Sequence, residues 1–202
     1  MNNVVSSANL KKKDYVINQD EKGVVLLDVN WSRKWACGQF ENAQLVSLNF
    51  EKIDVVSKNH NKYSTIRIKT SSKLFAKRRF INYGFLIEPG EYAFSGWSLK
   101  AAKSESDIGY FKAEKSDLID ESNLLGGSFN VNKGEIVFIG NFFLDCYEKN
   151  PIPWRYYPTN KAGFELQKAE YRKKYKFLKN RDIQFRLLKT EHFGLNFESP
   201  NY

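Results

Sequence analysis

General acid–base chemistry needs a His or a carboxylate with a positioned partner, and nucleophilic chemistry needs a Ser or Cys beside a base. In this chain of 202 residues the two histidines, His60 and His192, stand in polar or strand-end contexts with no neighbouring Cys and no suitably spaced carboxylate. Both read as solvated side chains. Asp28, Glu88, Glu91 and Glu135 lie near strands or turns, and a pair of them could perform glycosidase chemistry. Acids at turns and strand ends more commonly serve solubility and local hydrogen bonding. Ser128 lacks the G-x-S-x-G surroundings of a nucleophile elbow. No helix start and no Lys-Ser/Thr pair follows Gly126-Gly127, so the phosphate-loop reading fails there. Cys37 and Cys146 have no CxxC partners and are too few for a zinc site, so they form one disulfide or stay as two buried thiols. The expectation is a protein that is not an enzyme and uses no cofactor or metal.

Charge is the stronger signal. With 32 basic against 23 acidic residues and a net charge of +9, the chain favours polyanions. Candidate anion-binding residues are Lys77, Arg78 and Arg79, together with Arg172, Lys173 and Lys176 on the basic face of an expected helix. Nucleic-acid binding would use such cations for phosphates and interleaved aromatics for bases. Tyr171 and Tyr175, however, fall on the face of that helix that should be buried, which leaves an ordinary solvated basic face.

The elements that must position these residues are mostly strands. A Phe- and Tyr-rich composition, 42% hydrophobic and 15% aromatic, suits pleated, half-buried surfaces. Gly23 to Asn30 is a continuous apolar run of central-strand length, and Gln44 to Phe50 alternates Leu45, Ser47 and Asn49 against Val46, Leu48 and Phe50, which form one face unless both faces are partly buried. Ile66 and Ile68 point inward from a third strand. Tyr83–Ile87 and Tyr92–Leu99 around Glu88-Pro89-Gly90-Glu91 read as one hairpin. Gly126 to Phe143, with its turn at Asn132-Lys133-Gly134, reads as another. Two prolines at Pro151-Ile152-Pro153 break the β pattern. Beyond Thr159 and Asn160 the period becomes helical, with Phe164, Tyr171, Tyr175 and Leu178 on one face. Residues 1–13 read as a flexible basic tether and 14–202 as a single antiparallel β-sandwich-like domain with an amphipathic helix at about 160–179. The expected core is Val25, Leu27, Val46, Leu48, Ile66, Ile68, Phe85, Phe94, Val137 and Ile139.

The stretches Glu88-Pro89-Gly90-Glu91-Tyr92, Gly126-Gly127-Ser128-Phe129 and Gly134-Glu135-Ile136-Val137-Phe138-Ile139-Gly140-Asn141 resemble hairpins of bacterial envelope proteins of unknown function, often lipoproteins with β-sandwich domains. The resemblance implies a periplasmic or envelope location and no catalytic residue. Its lipidation cysteine has no counterpart here, so a lipid anchor is expected only in a leader already removed. Met1 to Ser7 lacks the apolar core of a signal peptide, which fits a removed export signal or a cytoplasmic start. No apolar run reaches the length of a membrane span. The expected function is a non-catalytic envelope binding or structural module whose partner is a protein or an anionic envelope polymer. A cytosolic nucleic-acid-binding protein is the alternative, and a carboxylate-dependent hydrolase is third.

Overall fold

A computed structural model describes residues 10–53, 65–70, 80–120, 123–158 and 160–186, with the backbone of 4–6. The strands are β1 (Val4–Ser6), β2 (Gly23–Val29), β3 (Lys34–Cys37), β4 (Phe40–Ile53), β5 (Thr65–Lys69), β6 (Ile81–Ile87), β7 (Gly90–Ala102), β8 (Ile108–Ala113), β9 (Ser128–Val131), β10 (Ile136–Asp145), β11 (Ile152–Tyr156) and β12 (Gln184–Phe185). Helices α1 (Lys12–Asn18), α2 (Lys115–Leu118) and α3 (Lys161–Lys174) accompany them, and a 3₁₀ turn spans Lys176–Leu178.

The protein is mainly β, a sandwich-like domain of two sheets. A seven-stranded sheet runs β1-β5-β4-β7-β8, with β3 also on β4 and β9 also on β7. A five-stranded sheet runs β11-β10-β2-β6, with β12 also on β10. Most pairings are antiparallel, whereas β1 with β5, β2 with β10 and β10 with β12 run parallel. Helix α3 and the 3₁₀ turn cover the outer face of the smaller sheet. This third layer explains why β2 is buried along its whole length. Val25, Leu27 and Val29 face the larger sheet, while Val24 and Leu26 pack with Tyr171, Tyr175 and Leu178. Between the sheets, Phe50 of the larger sheet lies 5.7 Å from Phe142 of the smaller, centroid to centroid, and 5.3 Å from Phe94. Such ring pairs add about 0.5–1.5 kcal/mol each to the burial of their area.

Every expected core residue except Val46 lies in this inter-sheet core. Val46 is the extra residue of a bulge, since Leu45 pairs with Leu99 and Ser47 with Ser98. The bulge puts Leu45, instead of Val46, in register with Leu48 and Phe50 in the interior. Packing begins earlier than expected: Leu10 is buried, its amide donates to the Gly84 carbonyl, and Lys12 and Lys13 open α1, so this end of the expected tether is built into the fold.

Both expected hairpins are instead arches from one sheet to the other. β6 belongs to the smaller sheet and β7 to the larger; β9 pairs with β7, whereas β10 pairs with β2 and β11. The Tyr92 hydroxyl donates to the Glu88 carbonyl at 2.9 Å and braces the first arch. Glu135 closes the second by accepting from the backbone and side chain of Asn132. The segment expected to break the β pattern is β11, with Pro153 inside it, and it runs along an edge of its sheet, where a missing amide is tolerated.

Candidate functional site

The sequence candidates separate in space. Lys77, Arg78, Arg79, His60 and His192 lie outside the described residues. On α3, Phe164 and Tyr171 are buried as expected, as are Tyr175 and Leu178 just beyond its end. Lys173 and Lys176 are exposed. Arg172 departs from the expected wet face: it is half-buried, and one of its terminal nitrogens donates to the Arg181 carbonyl at 3.1 Å. Cys37 and Cys146 form a disulfide with a Cα separation of 4.5 Å, joining the end of β3 in one sheet to the end of β10 in the other. The four acids do not pair with one another. Glu88 meets Lys22, Glu91 accepts from the Ser128 hydroxyl, and Glu135 meets Asn132 and Arg186.

Asp28 is 2% exposed. It is the last helix-facing residue of β2, and its carboxylate accepts from Asn82 Nδ2 at 2.8 Å, from Gln167 Nε2 at 2.6 Å and from the Tyr171 hydroxyl. Burial pushes the Asp28 carboxyl above its ordinary range against these three bonds, and burial beside Asp28 pushes the Tyr171 hydroxyl well above its own. The cluster bonds β2, β6 and α3 together. With three side chains from β6 and α3 donating to one buried carboxylate of β2, the cluster fastens the helix to the sheet.

The outer face of the larger sheet is different. A groove of about 340 Å³ lies across β4, β5, β7, β8 and the start of α2. Strand register builds it. Ser47 pairs with Lys69 on one side and Ser98 on the other, and Ser98 pairs with Lys112; in the next row Asn49 lies between Arg67 and Gly96. Residues directly opposite in an antiparallel ladder share a face, so these polar side chains form two adjacent bands. Gly96 keeps the floor low, because a Cβ there would stand 3.0 Å from the Ala113 carbonyl oxygen and 3.1 Å from Asn49 Nδ2.

Two bulges frame the groove, one at Val46 and one at Ser95, the residue left over between the pairs Asn49–Gly96 and Phe50–Phe94. Bulges re-aim side chains and collect beside functional sites. Ser95 is 3% exposed and lines the groove, and its Oγ has no hydrogen-bond partner among the described residues; Trp97 Nε1, also on the groove lining, has none either. Such groups cost about 1–3 kcal/mol each when left unmet. The groove's charges are mixed but lean positive. Lys115 pairs with Glu51 at 2.8 Å and Lys112 pairs with Glu114, while Arg67 bonds Asn49 at 3.2 Å. Among the described residues, Arg67 and Lys69 have no carboxylate partner, and both are exposed. The arrangement can hold anionic groups and meet neutral hydroxyls with its own.

None of these groove residues was a sequence candidate. The available signal was the small polar series Ser47, Asn49 and Glu51 opposite a fully apolar face, repeated by Gly96 and Ser98 in β7. Among the described residues no set of three or more His, Cys, Asp or Glu converges to hold a metal, and no helix is long and apolar enough to cross a membrane. Compared with known proteins, the chain matches no family model, no curated protein and no solved structure.

Proposed function

We propose that this protein is a non-catalytic binding module of the bacterial cell envelope, and that the groove on the larger sheet holds an anionic polymer. The observation carrying this reading is the groove itself: Arg67 and Lys69, which meet no carboxylate among the described residues, stand beside a buried Ser95 hydroxyl that has no hydrogen-bond partner among them. The disulfide between the sheets supports an oxidising compartment, and the resemblance of the two arch sequences to envelope proteins points the same way.

The test compares two basic surfaces. Binding of anionic polymers is titrated at two salt concentrations for the native chain, for Arg67→Gln with Lys69→Gln, and for Lys173→Gln with Lys176→Gln. The expected result is loss of most affinity, and a shallower salt dependence, in the first pair only. Loss in the second pair only would move the site to the helix, and absence of binding to any anionic polymer would refute the reading. Salt-tolerant sub-micromolar binding to DNA or RNA would favour a nucleic-acid protein instead.

A further inference from the structure

Beyond the groove, the same face of the sheet carries two exposed aromatic rings. Tyr110 is 73% exposed and sits two residues before Lys112 on β8, and Trp35 is 64% exposed on β3. Trp35 is opposite Asn42, Asn42 opposite Ala102 and Ala102 opposite Ile108, while Lys100 is opposite Tyr110 in the neighbouring row. Following β7 from Ala102 through Lys100 and Ser98 to Gly96 therefore passes along one face, from the Trp35 row to the floor of the groove. Same-face positions on a strand recur about every 7 Å, so this path spans roughly 20 Å. Each ring has a cation beside it: the Arg33 guanidinium carbon is 5.7 Å from the Trp35 centroid, and Lys100 Nζ is 6.0 Å from that of Tyr110.

We infer that the polymer is an acidic polysaccharide, lying along this face with sugar rings against Trp35 and Tyr110 and its carboxylate or sulfate groups at Arg67, Lys69 and Lys112. The inference rests on the groove being the binding site. Three features select a sugar chain over a nucleic acid, which could also use cations and rings. Glu51 and Glu114 border the groove as acceptors; every sugar unit of a glycan carries hydroxyls that can donate to them, whereas the phosphodiester links of a nucleic acid carry no donor. Ser47, Ser98 and Asn49 form the middle of the path and supply the short-range donors and acceptors that hydroxyls need. The cations are interleaved with these neutral groups along the path, as the acidic and neutral groups of a glycan alternate, instead of forming a continuous phosphate-tracking stripe.

The test measures affinity for a polyuronate, for neutral dextran and for oligo-dT matched in charge to the polyuronate, using the native chain, Trp35→Ala, Tyr110→Ala and Lys69→Ala. The expected result is polyuronate binding at least about tenfold tighter than oligo-dT, with each aromatic variant weakening it about tenfold at unchanged melting temperature. Dextran should bind weakly or not at all. Oligo-dT binding as tight as polyuronate, or dextran binding equally well, would overturn the inference. Polyuronate binding that loses affinity in Lys69→Ala but not in either aromatic variant would keep the groove and overturn the sugar-stacking assignment. If no anionic polymer binds, the proposed function falls with it.

Discussion

Asp28 and Ser95 are equally hidden, at 2% and 3% exposure, and each is a polar side chain on a strand of an otherwise apolar sandwich. Their surroundings differ. Asp28 lies on the outer face of the smaller sheet, where α3 covers it and Asn82, Gln167 and Tyr171 all donate to it. Ser95 lies at a bulge of the larger sheet, beside an open groove, and its hydroxyl has no partner among the described residues. A buried polar group that is fully bonded fastens elements together, and one that is not is met by water, an ion or a ligand, or stays unmet at a cost. The smaller sheet's outer face is covered by α3, and the larger sheet's outer face is where the proposed function puts the ligand.

The contrast is broken most sharply by Tyr171→Ala. The ring is fully buried against Phe138 and its hydroxyl bonds Asp28, so truncation should cost about 4 kcal/mol in denaturant unfolding and leave the groove's affinity unchanged in the protein that remains folded. Removing the inter-sheet disulfide, as Cys37→Ser with Cys146→Ser, should cost about 3 kcal/mol. It closes a loop with a sequence separation of 109 and is formed on neither outer face. Tyr175→Ala should cost about 2–4 kcal/mol, because Tyr175 is buried against Gly84, and Lys173→Ala should cost almost nothing. Equal losses from these two would reject the assigned helix face.

A pH titration sharpens the same comparison. The Asp28 carboxyl is raised in the folded state, chiefly by burial, so the folded protein holds this proton to higher pH than the unfolded chain does. Asp28 alone therefore makes stability fall as pH rises from roughly 4, the unfolded value, through the raised folded value. Asp28→Asn can keep the bonds from Asn82 and Tyr171 and turn the Gln167 amide, so it should remove that slope and leave stability at neutral pH unchanged or higher. A slope that persists in Asp28→Asn would mean that another group titrates. The smallest stability effects belong to the groove: Lys69→Ala and Arg67→Ala should stay within about 0.5 kcal/mol while weakening ligand binding.

What could be read from the sequence was whatever one strand or helix encodes alone. The alternation of Ile66 with Ile68 and the continuous run at Gly23 to Asn30 pointed to the sandwich, and the spacing of Phe164, Tyr171, Tyr175 and Leu178 pointed to the docked helix face. What depends on two distant segments was not readable. A turn such as Glu88-Pro89 looks the same whether its strands pair with each other or arch to opposite sheets, so both arches read as hairpins. One bulged residue at Val46 reversed an inward assignment that strict alternation had made. The groove was hidden for the same reason: Ser47 and Ser98 are far apart in the chain and become neighbours, with their hydroxyl oxygens 2.6 Å apart, only through the β4–β7 register.

The claim that the larger sheet's outer face is the binding surface is tested most directly by the footprint of a polyuronate on the amide NMR spectrum of the full chain. The prediction is saturable shifts confined to 33–35, 42–51, 65–69, 95–102 and 108–115, with α3 and the residues around Asp28 unmoved. Shifts concentrated on Lys161–Lys174, or a spectrum unchanged at saturating polymer, would contradict it.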